Sequence, residues 1–354
     1  MIKAIVNSNF LIHRAASDAV LDTAFDWLIK RRADYSFNSD VWVFRLLWTK
    51  TKHELQCRLT SGEYDFEAMD EYRFSDKLLD IWTSEDSLVL KALSIVLAEY
   101  LGPLLSGRCF HLTGRGGAKA AVREVEGRLK PGMHVMKSDV KSYYASMDHH
   151  VLYGLAEQYI PDKYVLRLIW GYMNRTVCYG GLYREVMRGI SLGCPLSPLM
   201  GALYLKPLDD AVKQTGLFYT RFMDDWIVIA PTRWKLRHVV RVVNETLNIL
   251  KVEQHPDKTF IGRADRGVSF LGYFIMPGRL TVSRESIFRF DRHIAQLYEQ
   301  GADAIRIGQY VGRWLQWVRC GVCHVLTPLD AVLCFSVSRA DSHGNHDYYS
   351  YRCC

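Results

Sequence analysis

Two short segments place acidic side chains where a metal-dependent reaction needs them. Asp139 ends the apolar run HVMKSDV, and Asp224 and Asp225 lie between the apolar arms YTRFM and WIVIA. Catalysis by two divalent cations needs carboxylates from different strands, because the metals lie only about 3.5–4 Å apart and bridge protein and phosphate oxygens. An Asp-Asp pair in a hairpin is otherwise usually a solvated turn. These acids alone therefore leave both a metal site and a plain turn open.

The chain alternates between helical and strand-like stretches, which predicts a fold of the α+β class. Up to about residue 70, apolar residues recur at helical spacing, as in AVLDTAFDWLIKRR and VWVFRLLWTKTKHEL. The stretch 71–129 also reads as mostly helical. Short apolar runs of strand length follow, and VSFLGYFIM with PGRLTVS predicts a second hairpin. Helical periodicity returns over 284–318, so the acids lie in a strand-rich centre.

The composition is that of a globular protein. Of 354 residues, 49% are hydrophobic and 23% charged, which excludes a disordered polymer. The net charge of +7 suits a polyanionic partner. The first residues lack a signal-peptide core, and the most apolar stretch, 87–105, is interrupted by Lys91 and Glu99. We therefore expect a cytoplasmic protein without membrane contact, whose nine cysteines are reduced.

Five motifs, in order, resemble those of the reverse transcriptases, and in particular of the bacterial group II intron-like lineage. SDVKSYYASMDH is similar to the first catalytic motif, and FMDD to the xMDD motif. Between them, GISLGCPLSPLMGALYLKPLD resembles the segment written GxPQGxxxSPxLxNxxLxxLD. HPDKT and FLGY are similar to a lysine motif and a primer-gripping turn, and RFSDKLLDIWTSEDSLVLKAL to the segment with basic triphosphate contacts. The resemblance covers about residues 70–320 and is specific, because order and spacing agree.

The resemblance implies a role for each matching residue. Asp139, Asp224 and the Val140 carbonyl would bind Mg²⁺, or Mn²⁺ in its place, with Asp225 as the supporting acid. Lys258 would donate a proton or a positive charge to the leaving pyrophosphate. The predicted nucleotide-binding residues are Arg73, Lys77, Val140, Tyr144, Leu192 and Gly193. The predicted primer grip consists of Phe270, Leu271, Gly272 and Tyr273.

Tyr144 is the residue that the resemblance places against the sugar of the nucleotide. Its ring would exclude a 2′-hydroxyl and so select deoxynucleotides. The residues alone leave a second interpretation open for it, that of a core tyrosine. For Lys258 they likewise leave open a solvated lysine after a turn.

The implied fold is a right-hand polymerase with an antiparallel-sheet palm. We expect a helical N-terminal region over 1–70, fingers and palm over 71–280, a short helical thumb over 281–320 and a C-terminal tail over 321–354. The tail, about 35 residues, is too short for the DNA-binding and endonuclease domains of a mobile intron protein. A self-sufficient intron maturase is therefore not expected.

The implied activity is RNA-directed DNA synthesis by two-metal phosphoryl transfer. Its partners are an RNA template, the DNA product and dNTPs, and as a freestanding bacterial relative the chain is expected to act in antiphage defence with a dedicated non-coding RNA. Basic residues flanking the motifs are expected to hold the nucleic acid through its phosphates; their other interpretation is a solvated helix face. They are Arg73, Lys77, Arg115, Lys119, Arg123, Arg284, Arg289, Arg306 and Arg313.

Departures from the family pattern motivate two alternatives. Leu192 stands where the family commonly has glutamine, which motivates template-independent or protein-primed DNA synthesis. Gly201-Ala202 stands where an asparagine usually follows Ser-Pro, and Arg115 remains of an upstream basic pair. The alternative of another class is a non-catalytic RNA-binding or splicing cofactor. Clustered acids argue against it, because they are costly where no cation offsets their charge.

Two further patterns point to other chemistry. Gly189-Ile-Ser-Leu-Gly193 matches the GxSxG elbow of hydrolases, but the preceding YREVMR carries three charges where an elbow needs an apolar strand. Cys320, Cys323 and His324 form a CxxCH pattern that, with later His and Cys residues, offers a zinc site. Because the second cysteine pair is adjacent rather than spaced, core thiols are the favoured interpretation.

Overall fold

The computed structural model describes residues 9–74 and 77–321. These residues form an α+β fold. The helices are α1 (Phe10–Ala15), α2 (Asp18–Arg31), α3 (Asp40–Ser61), α4 (Ser84–Leu101), α5 (Gly117–Arg128), α6 (Tyr143–Ser146), α7 (His149–Tyr159), α8 (Lys163–Met173), α9 (Ser197–Tyr204), α10 (Lys206–Gln214), α11 (Arg233–Ile249), α12 (Arg284–Glu299) and α13 (Ala304–Gly321). The strands are β1 (Met69–Phe74), β2 (Lys77–Ile81), β3 (His134–Ser138), β4 (Thr176–Tyr179), β5 (Leu182–Glu185), β6 (Phe218–Phe222), β7 (Asp225–Ala230), β8 (Phe260–Arg263), β9 (Val268–Phe270), β10 (Tyr273–Met276) and β11 (Arg279–Val282).

The strands form three small sheets. The central sheet has the order β6-β7-β3-β8 and is antiparallel throughout. The upstream sheet has the order β2-β1-β4-β5, with β1 parallel to β4. The third sheet, β11-β10-β9, is an antiparallel meander followed by α12 and α13. The central sheet holds both acidic motifs, because Asp139 follows β3 and Asp225 begins β7.

The two faces of the central sheet have different neighbours, because side chains alternate along a strand. On one face, Met136 and Val228 pack in the larger hydrophobic core with Leu236 and Val243 of α11. On the other face, residues of β3 and β7 such as Ile227 pack with α5 and with β9–β11 in a second core. Lys137 and Asp225 lie on this second face, where their side chains form an ion pair of 3.1 Å. The helix α11 therefore covers the face opposite the acids.

The N-terminal helices pack into the larger core. Leu21 and Leu28 of α2 are fully buried there with Leu88 and Leu97 of α4. A buried guanidinium joins the same elements, since Arg32 donates to Ser84 Oγ and to the Trp82 carbonyl, at 2.8 and 2.6 Å. The helical prediction for this region is confirmed, and its separation as a region over 1–70 stays a prediction.

The strand predictions around both acidic motifs are confirmed, but one helical prediction is wrong. The start of the stretch 71–129 belongs to the β1–β2 hairpin, in which Asp70 pairs with Ile81 and Phe74 with Lys77. Apolar and charged residues alternate as in a strand only over 72–74 and 79–81, and β1 also pairs with the extended strand β4 on its other side. Helices follow only from Ser84 onward.

Two earlier expectations fall beyond the described chain. Residues 322–354 lie outside the described residues, so the zinc pattern at Cys323 and His324 and the tail over 321–354 stay predictions. Within the described part, no helix combines the length and the apolarity that crossing a membrane requires.

Candidate active site

Asp139 is the first acid of the site and is held at the end of β3. The strand carries it to the sheet edge, and an isolated bridge between Val140 and Gln254 fixes the chain just beyond. The hydrogen bonds of this bridge use the amides of Lys141 and His255, so neither uses the Val140 carbonyl oxygen. Asp139 is only 6% exposed. Its Oδ2 accepts from Lys258 Nζ at 2.7 Å, whereas its Oδ1 is buried with no partner among the described residues.

Asp224 lies in the turn that joins β6 and β7. Phe222 pairs with Asp225, which leaves Met223 and Asp224 as a two-residue turn. Met223 has a φ of 58°, in the left-handed region that glycine usually occupies at such a turn position. Burial raises the pKa of Asp224, and the negative charge of Asp139 raises it further. The two acids therefore interact electrostatically, as ligands of a shared cation site must.

Asp225 is the third acid and has a different environment. Burial raises its pKa to about 7, against the lowering effect of Lys137. The pKa of Lys258 is raised, first by its hydrogen bond to Asp139. Two lysines thus offset part of the charge of three acids, which leaves the group short of positive charge. This is the electrostatic condition that a bound divalent cation satisfies.

The turn before Asp224 is fastened by residues that the sequence analysis assigned no role. Arg221 Nη1 donates to the Met223 carbonyl at 2.7 Å, and the Met223 amide donates to His111 Nδ1 at 2.9 Å. The other ring nitrogen of His111 donates to the Pro198 carbonyl at 3.1 Å. The amide and the carbonyl of Met223 are therefore both hydrogen-bonded to side chains.

A buried ion pair holds Arg221 in turn. Its side chain is 0% exposed and that of Asp209 is 1% exposed, with Nη2 and Oδ2 2.6 Å apart. Arg221 Nε donates to Asp209 Oδ1 at 2.8 Å, and Tyr219 Oη donates to the same oxygen at 2.7 Å. Asp209 is the last residue of the motif LYLKPLD, so this motif was the feature of the sequence from which the ion pair could have been predicted. His111 stands in no pattern that could have marked it.

Tyr144 lies beside the acids, where its ring is confined from two sides. Its ring stacks on Tyr143 with centroids 5.5 Å apart. A Cβ added at Gly201 would come within 3.2 Å of both tyrosine rings, so the glycine at this position leaves room for them. The pKa of Tyr144 is raised by burial and by the charge of Asp224. Its hydroxyl is buried without a hydrogen-bond partner among the described residues.

The loop with Leu192 is anchored to the first acidic motif. The Ile190 amide donates to the Tyr144 carbonyl at 2.8 Å, and a Cβ at Gly189 would lie only 2.8 Å from the Ala145 backbone. Leu192 is 37% exposed, and Gly193 has a φ of 88°. Ser191, the centre of the GxSxG pattern, is fully buried and its hydroxyl accepts from Trp82, so it is not placed as a nucleophile.

An open cleft of about 1100 Å³ extends from the acids to the last two helices. Asp139, Asp225, Lys137 and Lys258 line one end of it. Its other walls come from the β9–β10 turn and from aromatic residues of α12 and α13. These residues include Phe270, Leu271, Gly272, Arg289, Phe290, Tyr310, Trp314 and Trp317.

The predicted primer grip divides into lining and supporting residues. Leu271 and Gly272 both have positive φ, which is the geometry of a tight two-residue hairpin turn, and they line the cleft with Phe270. Tyr273 is fully buried beneath Trp317, with ring centroids 4.7 Å apart. Tyr273 thus supports the turn rather than lining the cleft.

Of the basic residues predicted to contact nucleic acid, Arg289 lines this cleft. Arg115 instead donates to the Ser106 and Gly102 carbonyls at 2.7 and 2.8 Å, which holds the loop after α4. The backbone of Arg73 lies in β1 and that of Lys77 in β2, two positions at the end of the β1–β2 hairpin. Their nucleotide contacts stay predictions.

Comparison with known proteins agrees with this arrangement. The model of the family described as reverse transcriptase (RNA-dependent DNA polymerase) matches residues 91–275, just over half of the chain. The match includes both acidic motifs and the β9–β10 turn. The chain belongs to the reverse transcriptase family, which confirms the resemblance of its motifs.

Relatives come from intron-associated and other proteins. The group II intron-encoded protein LtrA of Lactococcus lactis subsp. cremoris is 23% identical over 176 residues, which cover 50% of this chain and 29% of that protein. The protein YkfC of Escherichia coli K12 is 22% identical over 183 residues, covering 42% of this chain and 48% of that protein. An uncharacterized 91 kDa protein in the cob intron of Schizosaccharomyces pombe is 24% identical over 160 residues, 44% of this chain and 20% of that protein. The chain thus spans less than half the length of each relative.

Proposed function

We propose that this protein is an RNA-directed DNA polymerase that joins dNTPs to a primer by two-metal phosphoryl transfer. The observation that carries the proposal is the buried Asp139 carboxylate, whose Oδ1 lacks a partner among the described residues, next to a second acid whose pKa its charge raises. A buried unpaired carboxylate oxygen is costly, so it indicates a ligand. Family membership supports the reaction class.

The donor set fits Mg²⁺, with Mn²⁺ as a substitute. Asp139, Asp224 and the Val140 carbonyl supply only oxygens, and Mg²⁺ commonly takes one or two carboxylates with waters and substrate phosphates as its remaining ligands. The described residues hold no group of three or more His, Cys, Asp or Glu side chains suited to a metal, so substrate and water would complete the site. When bound, the ions would neutralise charge on the phosphates and activate the primer hydroxyl.

The chain's own residues would position the reactants. Lys258 Nζ lies 2.7 Å from Asp139 Oδ2 and would donate a proton or a positive charge to the leaving pyrophosphate. Lys137 holds Asp225 as the supporting acid through their ion pair. The ring of Tyr144 would form the wall against the sugar 2′ position. Leu192 and Gly193 would lie against the nucleotide and template.

The elements correspond to the parts of a right-hand polymerase. We assign the central sheet with α9–α11 to the palm and the upstream sheet to the fingers, which fits the predicted range 71–280 except that β1 begins at Met69. The helices α12 and α13 correspond to the thumb over 281–320. The cleft between the acids and α13 would then hold the primer–template duplex, with Leu271 and Gly272 at the primer end.

Substitution of the acids tests the chemistry. Asp139→Asn and Asp224→Asn should each abolish dNTP incorporation on an RNA template with a DNA primer, because each removes a cation ligand. RNA binding and the thermal unfolding midpoint should change little. Asp210→Asn, which removes a half-exposed acid of α10, is the matched control. Near-normal incorporation by either variant would contradict the two-metal assignment.

A second mode of synthesis has one observation in its favour. Leu192 is 37% exposed on the loop next to Tyr144, where an apolar side chain offers no amide to a template base. Template-independent or protein-primed synthesis would therefore suit this pocket. Incorporation in the absence of an added template, or label covalently retained on the protein, would identify these modes. A non-catalytic RNA-binding or splicing cofactor would show no incorporation with Mg²⁺ at all.

The biological role follows from the lineage. We propose a freestanding bacterial enzyme of the cytoplasm that acts in antiphage defence with a dedicated non-coding RNA. The support is the relationship to group II intron-encoded proteins. Sequencing the RNA and DNA that copurify with the protein is the direct test. A single enriched non-coding RNA and its complementary DNA are expected, and a random sample of cellular RNA would contradict the role.

A further inference from the structure

The outer face of α11 is a basic surface with an exposed tryptophan. The helix follows the acidic hairpin and begins after the Thr232 cap, whose hydroxyl accepts from the Lys235 amide at 3.3 Å. Trp234 is 75% exposed. The basic face, as the term is used below, consists of Arg233, Trp234, Lys235, Arg237, His238 and Arg241, all exposed.

The positive charges of the basic face destabilise α11. Arg233 and Lys235 lie in the first turn, where the helix dipole favours acids, and this turn has none. Arg233, Arg237 and Arg241 follow one another at spacings of four, so like charges repel along one row. The first acid of the helix is Glu245. Within the described chain, these cations take part in no ion pair. In water these unfavourable charge interactions bring no benefit. A bound polyanion would offset the repulsion and make the charges of the face net favourable.

The tryptophan gives the surface a second recognition element. The guanidinium of Arg237 lies 5.2 Å from the ring centroid of Trp234. The ring is therefore held against a cation while most of its surface faces solvent. Aromatic rings beside arginines are the platforms on which unpaired bases stack, and such stacking tolerates any sequence.

The basic face is separate from the active-site cleft. The apolar residues of α11, such as Leu236 and Val243, pack in the core with Met136 and Val228. Those two residues belong to the sheet face opposite Lys137 and Asp225, which line the cleft. The central sheet therefore stands between the two surfaces. A primer–template in the cleft does not cover α11.

We propose that the basic face of α11 binds RNA at a second site, outside the polymerase cleft. Arg233 to Arg241 span about 12 Å along the helix axis, which matches several successive phosphates of one strand. RNA is the partner because its loops and bulges present unpaired bases for Trp234 beside the phosphates, whereas cellular DNA is mainly duplex. The inference goes beyond the proposed function, which concerns the cleft alone.

The test uses the full chain with its cleft filled. The protein is saturated with an unlabelled RNA–DNA template–primer, and a fluorescein-labelled RNA stem-loop with a blocked 3′ end is titrated. The parent should bind the labelled RNA, and R237E/R241E should weaken this binding about tenfold or more while lowering the log–log salt slope by about 0.7–0.9 per lost contact. Trp234→Ala should weaken binding without changing the slope.

A charge-matched control variant distinguishes an effect at this site from an effect of the lower net charge. R45E/K50E changes the same number of charges on α3, where both residues are exposed, and should leave the labelled RNA bound as in the parent. Both double variants should incorporate dNTPs normally on the saturating template–primer, so failure of the second site and failure of the polymerase assignment are distinguishable.

Four outcomes would overturn the proposal. They are no binding of the labelled RNA when the cleft is filled, equal weakening by both double variants, equal affinity for a DNA duplex of the same sequence, and equal competition by polyglutamate. The last result would make the basic face a docking surface for acidic protein.

Discussion

His111 accepts a hydrogen bond from the Met223 amide at 2.9 Å, across 112 positions of the chain. Met223 is the residue before Asp224 and has a left-handed φ of 58°. For a side chain with a Cβ, this conformation costs roughly 1–3 kcal/mol unless its surroundings hold it. Arg221 satisfies the carbonyl of the same residue. His111 and Arg221 therefore fix the turn that carries Asp224, the proposed cation ligand, and we propose His111 as a positioning residue.

His111→Ala should lower the kcat for dNTP incorporation by about 10- to 100-fold, because a displacement of about 1 Å at a reacting group has an effect of that order. The apparent affinity for Mg²⁺ should fall with it, since Asp224 would lose its fixed direction. His111→Asn keeps an acceptor near the position of Nδ1 and should restore most of both values. Mg²⁺ titrations of single-nucleotide incorporation measure the effect.

A purely structural role for His111 predicts a different result. Both variants would then unfold at lower temperature by similar amounts, and the Mg²⁺ dependence of the folded enzyme would match that of the parent. Circular dichroism melting alongside the titration distinguishes the two cases.

The protonation of His111 gives a pH prediction with a definite sign. Burial, and after it the charge of Arg221, lower its pKa to about 4. An unfolded histidine has a pKa near about 6.5 and binds its proton first as the pH falls. The free energy of unfolding should therefore fall from about pH 6.5 to about pH 4, because the unfolded state takes up the proton. Urea unfolding at pH 7 and pH 5 should show a larger fall for the parent than for His111→Asn. An equal fall in both would mean that His111 is protonated in the folded protein.

The sequence predicted the acids and their strands well, and the residues that support them poorly. Asp139 and Asp224 were visible because each stands next to an apolar run of strand length, and a local pattern suffices to show that. The contact of His111 with Met223 joins distant segments, so no local pattern contains it. Arg221 was hidden for another reason: a charged residue in a strand normally faces solvent, whereas this one is buried because Asp209 pairs with it. The β1–β2 hairpin was missed because its short strands depend on β4 for support.

The buried ion pair should dominate the stability of the central sheet. Asp209→Asn leaves the fully buried Arg221 without its counter-charge, and removal of one partner from such a pair typically costs about 3–5 kcal/mol. Asp210→Asn on the same helix removes the half-exposed partner of Lys206, a loss of only about 0–1 kcal/mol. Urea unfolding of the two variants measures the difference. Similar losses from the two neighbouring substitutions would show that the Arg221 pair contributes no more than a surface contact.

Tyr144 should decide which sugar the enzyme accepts. Its ring stacks on Tyr143, its carbonyl accepts from the Ile190 amide at 2.8 Å, and both contacts fix it beside Asp224. Tyr144→Val removes the ring and opens space for a 2′-hydroxyl, so the preference for dNTPs over rNTPs should fall by about tenfold or more. Tyr144→Phe keeps the ring, and because the hydroxyl has no partner among the described residues, it should keep the preference.

The neighbouring tyrosine supplies the control for this last prediction. Tyr143→Phe removes only a hydroxyl that donates to the Gly201 carbonyl at 2.5 Å, so it should leave the sugar preference unchanged while lowering stability slightly. The measurement is kcat/KM for a dNTP and the matching rNTP in all four proteins. If Tyr144→Val keeps the parental ratio, the 2′ position of the nucleotide does not face this ring, and the sugar must lie against another wall of the site.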